Sequence, residues 1–122
     1  MTQEEKDLVL KDICSRLPYG IKVNNEIQGD FKIYGICENF VFGRNEVCHI
    51  DFDIEKIKPY LFPLSSMTEE QIKEFNSITQ KCSTYIGKSI LLTDFCNKHH
   101  IDWRGFIEKG LALDATGLDI YE

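Results

Sequence analysis

The residue types most able to do chemistry lie close together near the C-terminus, where Cys96, His99 and His100 fall within five positions. In a helix, a thiol and an imidazole three residues apart share a face, and both groups bind transition metals. Two ligands are too few, since structural zinc needs four ligands and catalytic zinc needs three. No second pair with similar spacing accompanies them. We therefore expect a buried cysteine, two surface or capping histidines and no metal site.

Nucleophilic catalysis has little support in the sequence. No cysteine lies at a recognisable helix N-terminus beside cationic residues that would lower the pKa of its thiol. Asp51, Asp53 and Glu55 alternate along the end of a predicted strand, but alternating acids at such a place more often form a solvated face. Glycine-rich nucleotide motifs and a nucleophile elbow are absent from the sequence. We expect no catalytic residues and no cofactor. A small enzyme whose groups assemble only in three dimensions is an alternative.

Nucleic-acid binding is disfavoured by charge. The formal net charge is −6, no stretch of the chain is strongly basic, and phosphate contacts supply most non-specific affinity for nucleic acid. Residues 92–113 superficially resemble a helix-turn-helix, but Arg104 and Lys109 of its second helix are offset by Asp102 and Glu108. A protein partner, especially a basic one, fits an acidic chain better. An accessory protein that meets nucleic acid through its C-terminal helices is an alternative.

Length and composition predict one cytoplasmic domain. The chain has 122 residues, of which 43% are apolar and 28% charged, the range of a single globular domain. No apolar run approaches the roughly 18 residues that span a bilayer, and the N-terminus lacks the pattern of a secretion signal. The five cysteines form no CxxC pair, so we expect reduced thiols that behave as small core residues.

The first half of the chain predicts a helix followed by a sheet. Thr2 and Glu5 form a capping box that opens a helix over residues 1–18. Short β-type runs separated by turn residues predict an antiparallel meander of four to five strands over residues 20–64. Such a meander could stay open or curl into a small barrel of the SH3 type, and we favour the curled form. Pro59 and Pro63 predict that residues 58–64 form an extended connector or a sheet edge.

The second half predicts two to three helices over residues 68–113. Thr68 and Gln71 form another capping box, and Gly87 is expected to close the helix that follows. A second helix is expected from Ile90. Asp102 is expected to cap a third helix over residues 103–109, and the acidic residues 114–122 are expected to form a loosely held tail. The predicted fold class is α+β.

Three stretches carry a resemblance to other sequences: LPYG at residues 17–20, KPYLFPLSSMTEE at 58–70 and HHIDWRGFIEKGLAL at 99–113. They resemble small hypothetical proteins of gut anaerobes and their prophages, and the strand region between them matches little. The resemblance implies a setting in a phage or mobile element. It implies no activity, cofactor or partner.

Five residues within these stretches have no evident structural role, namely Lys58, Tyr60, His100, Trp103 and Arg104. If the fold brings them together, they form an aromatic and cationic patch of the kind enriched at binding hot spots. We therefore predict a non-catalytic protein-binding or adaptor protein whose partner is a host or phage protein. Exposed aromatic residues at 59–63 could also pair in a homodimer.

Overall fold

The computed structural model of this chain describes residues 1–81 and 83–121, and it begins with the helix that Thr2 and Glu5 predict. Helix α1 spans Gln3–Arg16. The Thr2 hydroxyl accepts a hydrogen bond from the Glu5 N–H at 3.1 Å, and the Glu5 carboxylate accepts one from the Thr2 N–H at 2.9 Å. A single 3-10 turn at Leu17–Tyr19 and Gly20, with φ +74°, end the helical segment. The predicted N-terminal helix and its capping box are confirmed.

The middle of the chain forms most of a six-stranded, mainly antiparallel sheet. The strands are β1 Lys22–Asn25, β2 Gly29–Cys37, β3 Phe40–Arg44, β4 His49–Asp53, β5 Lys58–Leu61 and β6 Leu113–Asp114. Their order is β4-β3-β2-β1-β5-β6, and β6 runs parallel to β5. The predicted α+β class is confirmed. The preference for a curled, SH3-like sheet is wrong, because β4 and β6 lie at opposite ends of this order and do not pair.

Strand β5 corrects the interpretation of the two prolines. Residues 58–64 were expected to be a connector or an edge, yet β5 lies between β1 and β6. Its pairing with β1 covers only two residue pairs, Val23 with Pro59 and Asn24 with Lys58. Pairing with β6 begins one residue after the proline, at Tyr60. The missing N–H of Pro59 is therefore tolerated because the ladder around it is short.

Two helices follow the sheet. Helix α2 spans Glu69–Lys81, and the Thr68 and Gln71 capping box forms with bonds of 3.2 and 3.0 Å. Helix α3 spans Tyr85–Lys98 and starts earlier than predicted. Gly87 lies in its first turn, where its N–H donates to the Thr84 hydroxyl at 3.1 Å. The expectation that Gly87 closes a helix is wrong, since Thr84 caps a new one there.

The predicted third helix over residues 103–109 is a series of turns. The two Asp102 carboxylate oxygens accept hydrogen bonds from the N–H groups of Phe106, at 2.9 Å, and Ile107, at 2.8 Å. Gly105 and Gly110 have φ of +78° and +74°, which right-handed helices do not contain. Asp102 thus holds a compact loop, and residues 92–113 do not form a helix-turn-helix.

The main core lies between α1 and one face of the sheet. Val9 and Ile13 of α1 are fully buried against inward-facing strand residues, which include Val23, Phe31, Ile33, Val41 and Phe52. Each such side chain contributes about 1.5–3 kcal/mol by its burial. A smaller cluster forms around Phe95, Cys96 and Ile101. The other face of strands β2 to β4 is largely exposed in the described part of the chain.

Residues 114–121 are not the loose tail expected for 114–122, and Glu122 lies outside the described residues. Strand β6 pairs with β5, and the N–H of the buried Ala115 donates to the Leu61 carbonyl at 2.8 Å. The Tyr121 hydroxyl accepts from the Lys22 N–H at 3.0 Å and donates to the Tyr60 carbonyl at 2.7 Å. These backbone contacts fix the segment to the sheet despite its acidic composition.

No helix in residues 1–81 or 83–121 has the length and apolar character to cross a membrane.

Candidate functional site

His100 lies in the helix-ending motif of α3. The N–H of Ile101 donates to the Cys96 carbonyl at 2.8 Å, and the N–H of His100 donates to the Asn97 carbonyl at 3.3 Å. This is the bond pattern of a Schellman motif, with His100 in the left-handed position at φ +55° that glycine usually occupies. Its Nε2 donates to the Tyr19 carbonyl, 3.0 Å away. The side chain therefore joins the end of α3 to the 3-10 turn that follows α1.

The surroundings of His100 favour its neutral form. The residue is 5% exposed, and its Nδ1 has no hydrogen-bond partner among the described residues. Burial first, and then the nearby Arg16 guanidinium, lower the pKa of His100 to about 4. The imidazole is thus an internal structural group, and it presents no surface for a ligand.

Tyr60 is also an internal residue. It is 7% exposed, and its hydroxyl donates to the Asp30 carboxylate at 2.7 Å. Burial and that hydrogen bond raise the pKa of Tyr60 to about 12. Since Tyr60 is buried and Phe62 half-buried, residues 59–63 do not present the exposed aromatic side chains on which a homodimer was predicted.

Lys58 lies apart from the other predicted site residues. It is exposed and lines a cavity of about 320 Å³ together with Asn25, Glu26 and Glu55. This cavity shares no lining residue with those around Trp103. The five residues predicted as one patch are thus divided, with Tyr60 and His100 inside the protein, Lys58 on its own, and Trp103 and Arg104 together. The predicted single patch does not form.

Trp103 and Arg104 form a cation–π pair at the surface. The Arg104 guanidinium carbon lies 4.1 Å from the centre of the Trp103 ring, and the indole N–H donates to the Asn97 side chain at 3.3 Å. Trp103 is 37% exposed. These bonds hold the ring in one orientation while leaving part of it open to solvent.

Arg104 also belongs to an ionic cluster with the buried residues Asp12 and Arg16. Asp12 and Arg16 are completely buried and are joined by two hydrogen bonds, Nε to Oδ2 at 2.9 Å and Nη2 to Oδ1 at 3.2 Å. Arg16 also donates to the carbonyls of Cys96, at 3.2 Å, and Ile101, at 2.7 Å. The Arg104 Nε donates to the same Asp12 carboxylate at 3.2 Å. One carboxylate therefore serves two guanidinium groups, and the cluster carries one excess positive charge.

An apolar depression, here called the Trp103 groove, adjoins the pair. It has a volume of about 450 Å³ and is lined mainly by Leu64, Phe75, Leu92, Cys96 and Trp103. Leu64 and Trp103 also line a second depression of about 440 Å³, to which Arg104 and Glu108 belong. The two form one continuous surface, apolar at one end and charged at the other.

Comparison with known proteins supplies no relative. No family model, curated protein or solved structure matches this chain. The function therefore has to be argued from the site itself.

The Trp103 groove has few groups suited to catalysis. Its single thiol belongs to Cys96, which is 5% exposed, and burial raises the pKa of that thiol. A raised pKa makes the thiolate scarce at neutral pH, so Cys96 is a poor nucleophile. Within residues 1–81 and 83–121, no three His, Cys, Asp or Glu side chains are placed to hold a metal ion.

The cysteines differ from the prediction that they are small core residues. Cys96 is buried, but Cys14 and Cys37 are exposed and Cys48 is half-buried. All four are free thiols. Cys82, to which the same prediction applied, lies outside the described residues.

Sequence reasoning missed the buried ion pair of Asp12 and Arg16, whose carboxylate also holds Arg104. Asp12 and Arg16 resemble ordinary polar residues of α1, although their i,i+4 spacing is that of a helical ion pair. Their burial depends on the contact of α1 with α3, which no local pattern reveals. The sequence also gave no indication that Leu64 and Leu92 line a groove, because single leucines at or near the surface are common.

Proposed function

We propose that this chain is a non-catalytic, cytoplasmic protein-binding module that acts as an adaptor in a phage or mobile element. Its binding site is the Trp103 groove, and its occupant is a segment of a host or phage protein. The setting rests on the resemblance of residues 17–20, 58–70 and 99–113. The binding role rests on the groove.

The partner segment is expected to present an apolar side chain next to a carboxylate. The apolar side chain fits the pocket among Leu64, Leu92 and Trp103, where aromatic and aliphatic walls resemble those of interface hot spots. The carboxylate fits Arg104, whose Nε is used by Asp12 while its terminal N–H groups have no hydrogen-bond partner among the described residues. The observation that carries the proposal is the Arg104 guanidinium, which Asp12 holds at 3.2 Å and which stacks on Trp103 at the end of an apolar groove.

The apolar surface continues beyond the groove along α3. Ile86, Ile90 and Leu91 are 72%, 56% and 43% exposed, and Tyr85 at the start of the helix is 86% exposed. Ile90 lines a further depression with Ser89 and Thr93, which also line the Trp103 groove. Contiguous exposed apolar residues on a soluble protein mark interaction sites. A partner segment lying along α3 would cover them.

Selection from a displayed library of random peptides of about 12 residues tests the proposal. We expect the selected peptides to combine an aromatic or aliphatic anchor with one or more acidic residues. A Leu64→Glu variant, which places a carboxylate in the groove at a residue already 49% exposed, should weaken binding of these peptides by about tenfold or more. Fluorescence anisotropy with labelled peptides measures the change.

The matched control is Val47→Glu, the same kind of change at a residue that is 89% exposed and lines neither groove depression. It should bind the peptides as the unaltered protein does. The proposal is wrong if no peptide is selected, if the selected peptides lack acidic residues, or if both variants bind alike.

A further inference from the structure

Strand pairing assembles a row of basic side chains that the linear sequence conceals. Lys22 of β1 is paired with Lys32 of β2, and Lys32 is paired in turn with Arg44 of β3. Arg44 is paired with His49 of β4. Paired residues project to the same face of a sheet, so all four lie on the face away from α1. With neighbouring strands about 4.8 Å apart, this basic row is roughly 14 Å long.

The basic row weakens the sheet and is only partly neutralised by its neighbours. Like charges directly opposite one another on paired strands are destabilising. None of Lys22, Lys32 and Arg44 forms an ion pair within the described residues, although the Lys22 ammonium donates to the Ile120 carbonyl at 2.7 Å. Asp30 and Glu46 line the same shallow depression of about 390 Å³, but one Asp30 oxygen already accepts from both Tyr60 and Asn24. The two carboxylates offset part of the charge of the three cations, and the depression keeps one net positive charge that can attract an external anion.

Aromatic rings lie beside the basic row on the same exposed face. Tyr34 is 49% exposed, with the Arg44 guanidinium 5.7 Å from its ring centre. Phe42 lies 6.3 Å from Tyr34, and Phe40, two residues earlier on β3, is 43% exposed. Gly35, which has no side chain, is the β2 residue paired with Phe42, so Tyr34 is the β2 side chain beside that ring. The face thus offers cations and flat apolar surfaces side by side.

We propose that this face of the sheet binds single-stranded nucleic acid. The phosphates lie along the basic row and unpaired bases stack on Tyr34 and its neighbouring rings, a combination that single-strand-binding sheets use. The carboxylates of Asp51 and Asp53 are paired with Phe42 and Phe40 at the β4 side of the face. The phosphate backbone therefore follows the row and keeps away from β4. This surface is separate from the Trp103 groove and does not depend on it.

A single strand of nucleic acid would contact more of the groups on this face than an acidic peptide would. A peptide carboxylate would satisfy the cations but would leave the rings unused, whereas a single strand engages both. A duplex would present its phosphates but no free base faces. The net charge of −6 does not forbid the contact, because at about 0.15 M salt charges beyond roughly 8 Å are screened and the local row dominates.

Fluorescence anisotropy tests the proposal with labelled single-stranded RNA and DNA of about 12 nucleotides, the same DNA as a duplex, and a labelled octaglutamate peptide. We expect both single strands to bind more tightly than the duplex or the peptide. The logarithm of the affinity should fall with the logarithm of salt concentration with a slope of about −2, the value for three fixed cations on a single strand. Tyr34→Ala should weaken single-strand binding about tenfold by removing a stacking surface.

The charge test compares two double variants with the same change in net charge. Lys32→Glu with Arg44→Glu should reduce affinity by more than about tenfold and flatten the salt dependence. Lys11→Glu with Lys73→Glu, at exposed positions of α1 and α2, should change it little. Urea midpoints confirm that each variant is folded. Equal losses in both double variants, equal binding of octaglutamate, or no single-strand binding at low salt overturns the proposal.

Discussion

The Tyr121 ring stacks on the imidazole of His100, with ring centres 3.9 Å apart and planes 12° from parallel. The contact joins the last described residue to the end of α3. The Tyr121 hydroxyl meanwhile bonds to the backbone of β1 and β5, at Lys22 and Tyr60. A single side chain therefore connects three elements, and it explains why the acidic C-terminal segment is held in place.

The stability of the protein should depend on pH through His100. Burial and Arg16 lower the pKa of His100 to about 4, whereas the unfolded chain takes up this proton near 6.5. Between these values the unfolded state binds more protons, so acid favours unfolding. We expect the contribution of His100 to the free energy of unfolding to be complete above pH 6.5 and to be lost as the pH falls to 4. The loss amounts to about 3 kcal/mol.

Urea unfolding at a series of pH values between 4 and 8 measures this effect. In His100→Asn, which keeps a residue tolerant of the left-handed conformation but cannot titrate, the decline between 6.5 and 4 should be smaller than in the unaltered protein. His49→Gln, at an exposed histidine, should leave the decline unchanged. Parallel pH profiles for the unaltered protein and His100→Asn would show that His100 is not responsible.

Removing the Tyr121 hydroxyl should destabilise the fold without disturbing the ring. Tyr121→Phe keeps the stacking on His100 but leaves the Lys22 N–H and the Tyr60 carbonyl without this partner. We expect a loss of about 1–3 kcal/mol in the free energy of unfolding. Leu118→Ala, in the same segment at a residue 51% exposed, should change it by less than about 0.5 kcal/mol. If the two variants lose equally little, the C-terminal segment is not held by Tyr121.

Local sequence patterns predicted the elements that depend on local chemistry. The capping boxes at Thr2 and Thr68 mark true helix starts, because their hydrogen bonds involve residues only three positions apart. The helix predicted over residues 103–109 is absent because the Asp102 side chain and two positive-φ glycines favour turns there. The loose tail predicted for 114–122 failed over residues 114–121 because contacts with distant parts of the chain decide their structure. Strand β6 exists only because the chain returns to β5, more than fifty residues earlier.

The candidate site was predicted only in part, for a related reason. Residue type alone singled out Trp103 and Arg104, and the structure brings these two together. The same reasoning selected Tyr60 and His100, whose polar atoms are used inside the protein by Asp30 and Tyr19. Residue type cannot distinguish a polar group facing solvent from one satisfied internally. The basic row was hidden because its members come from four strands, and their alignment is a property of register.

Breaking the buried ionic cluster should be much more damaging than breaking a surface pair. Asp12→Ala leaves the fully buried Arg16 without a counter-charge, and we expect a loss of about 3–5 kcal/mol in the free energy of unfolding. Glu55→Ala removes the surface pair that Lys6 makes at 2.8 Å and should cost less than about 1 kcal/mol. Urea or thermal denaturation compares the two. A similar small loss of unfolding free energy in both variants would mean that the carbonyls of Cys96 and Ile101 are enough to stabilise the buried charge of Arg16.

Two glycines in the sheet should respond differently to the same added methyl group. A Cβ at Gly43 would lie 2.9 Å from the Cβ of Phe31, in a core where Phe31 packs edge-on against Phe52 with ring centres 5.0 Å apart. Because Phe31 is fixed by the strand backbone, Gly43→Ala should cost about 1–3 kcal/mol through overpacking. A Cβ at Gly35 would meet only the Phe42 ring at 3.4 Å, an ordinary contact on the exposed face.

Gly35→Ala is therefore the matched control and should be close to neutral in urea unfolding. The variant also tests the proposed binding surface on the exposed face of the sheet, because the new methyl group would partly cover Phe42. We expect Gly35→Ala to keep the stability of the unaltered protein while weakening binding of single-stranded nucleic acid, whereas Gly43→Ala should lower stability at an inward-facing position. Equal stability of the two variants would contradict the packing of Phe31 against Gly43.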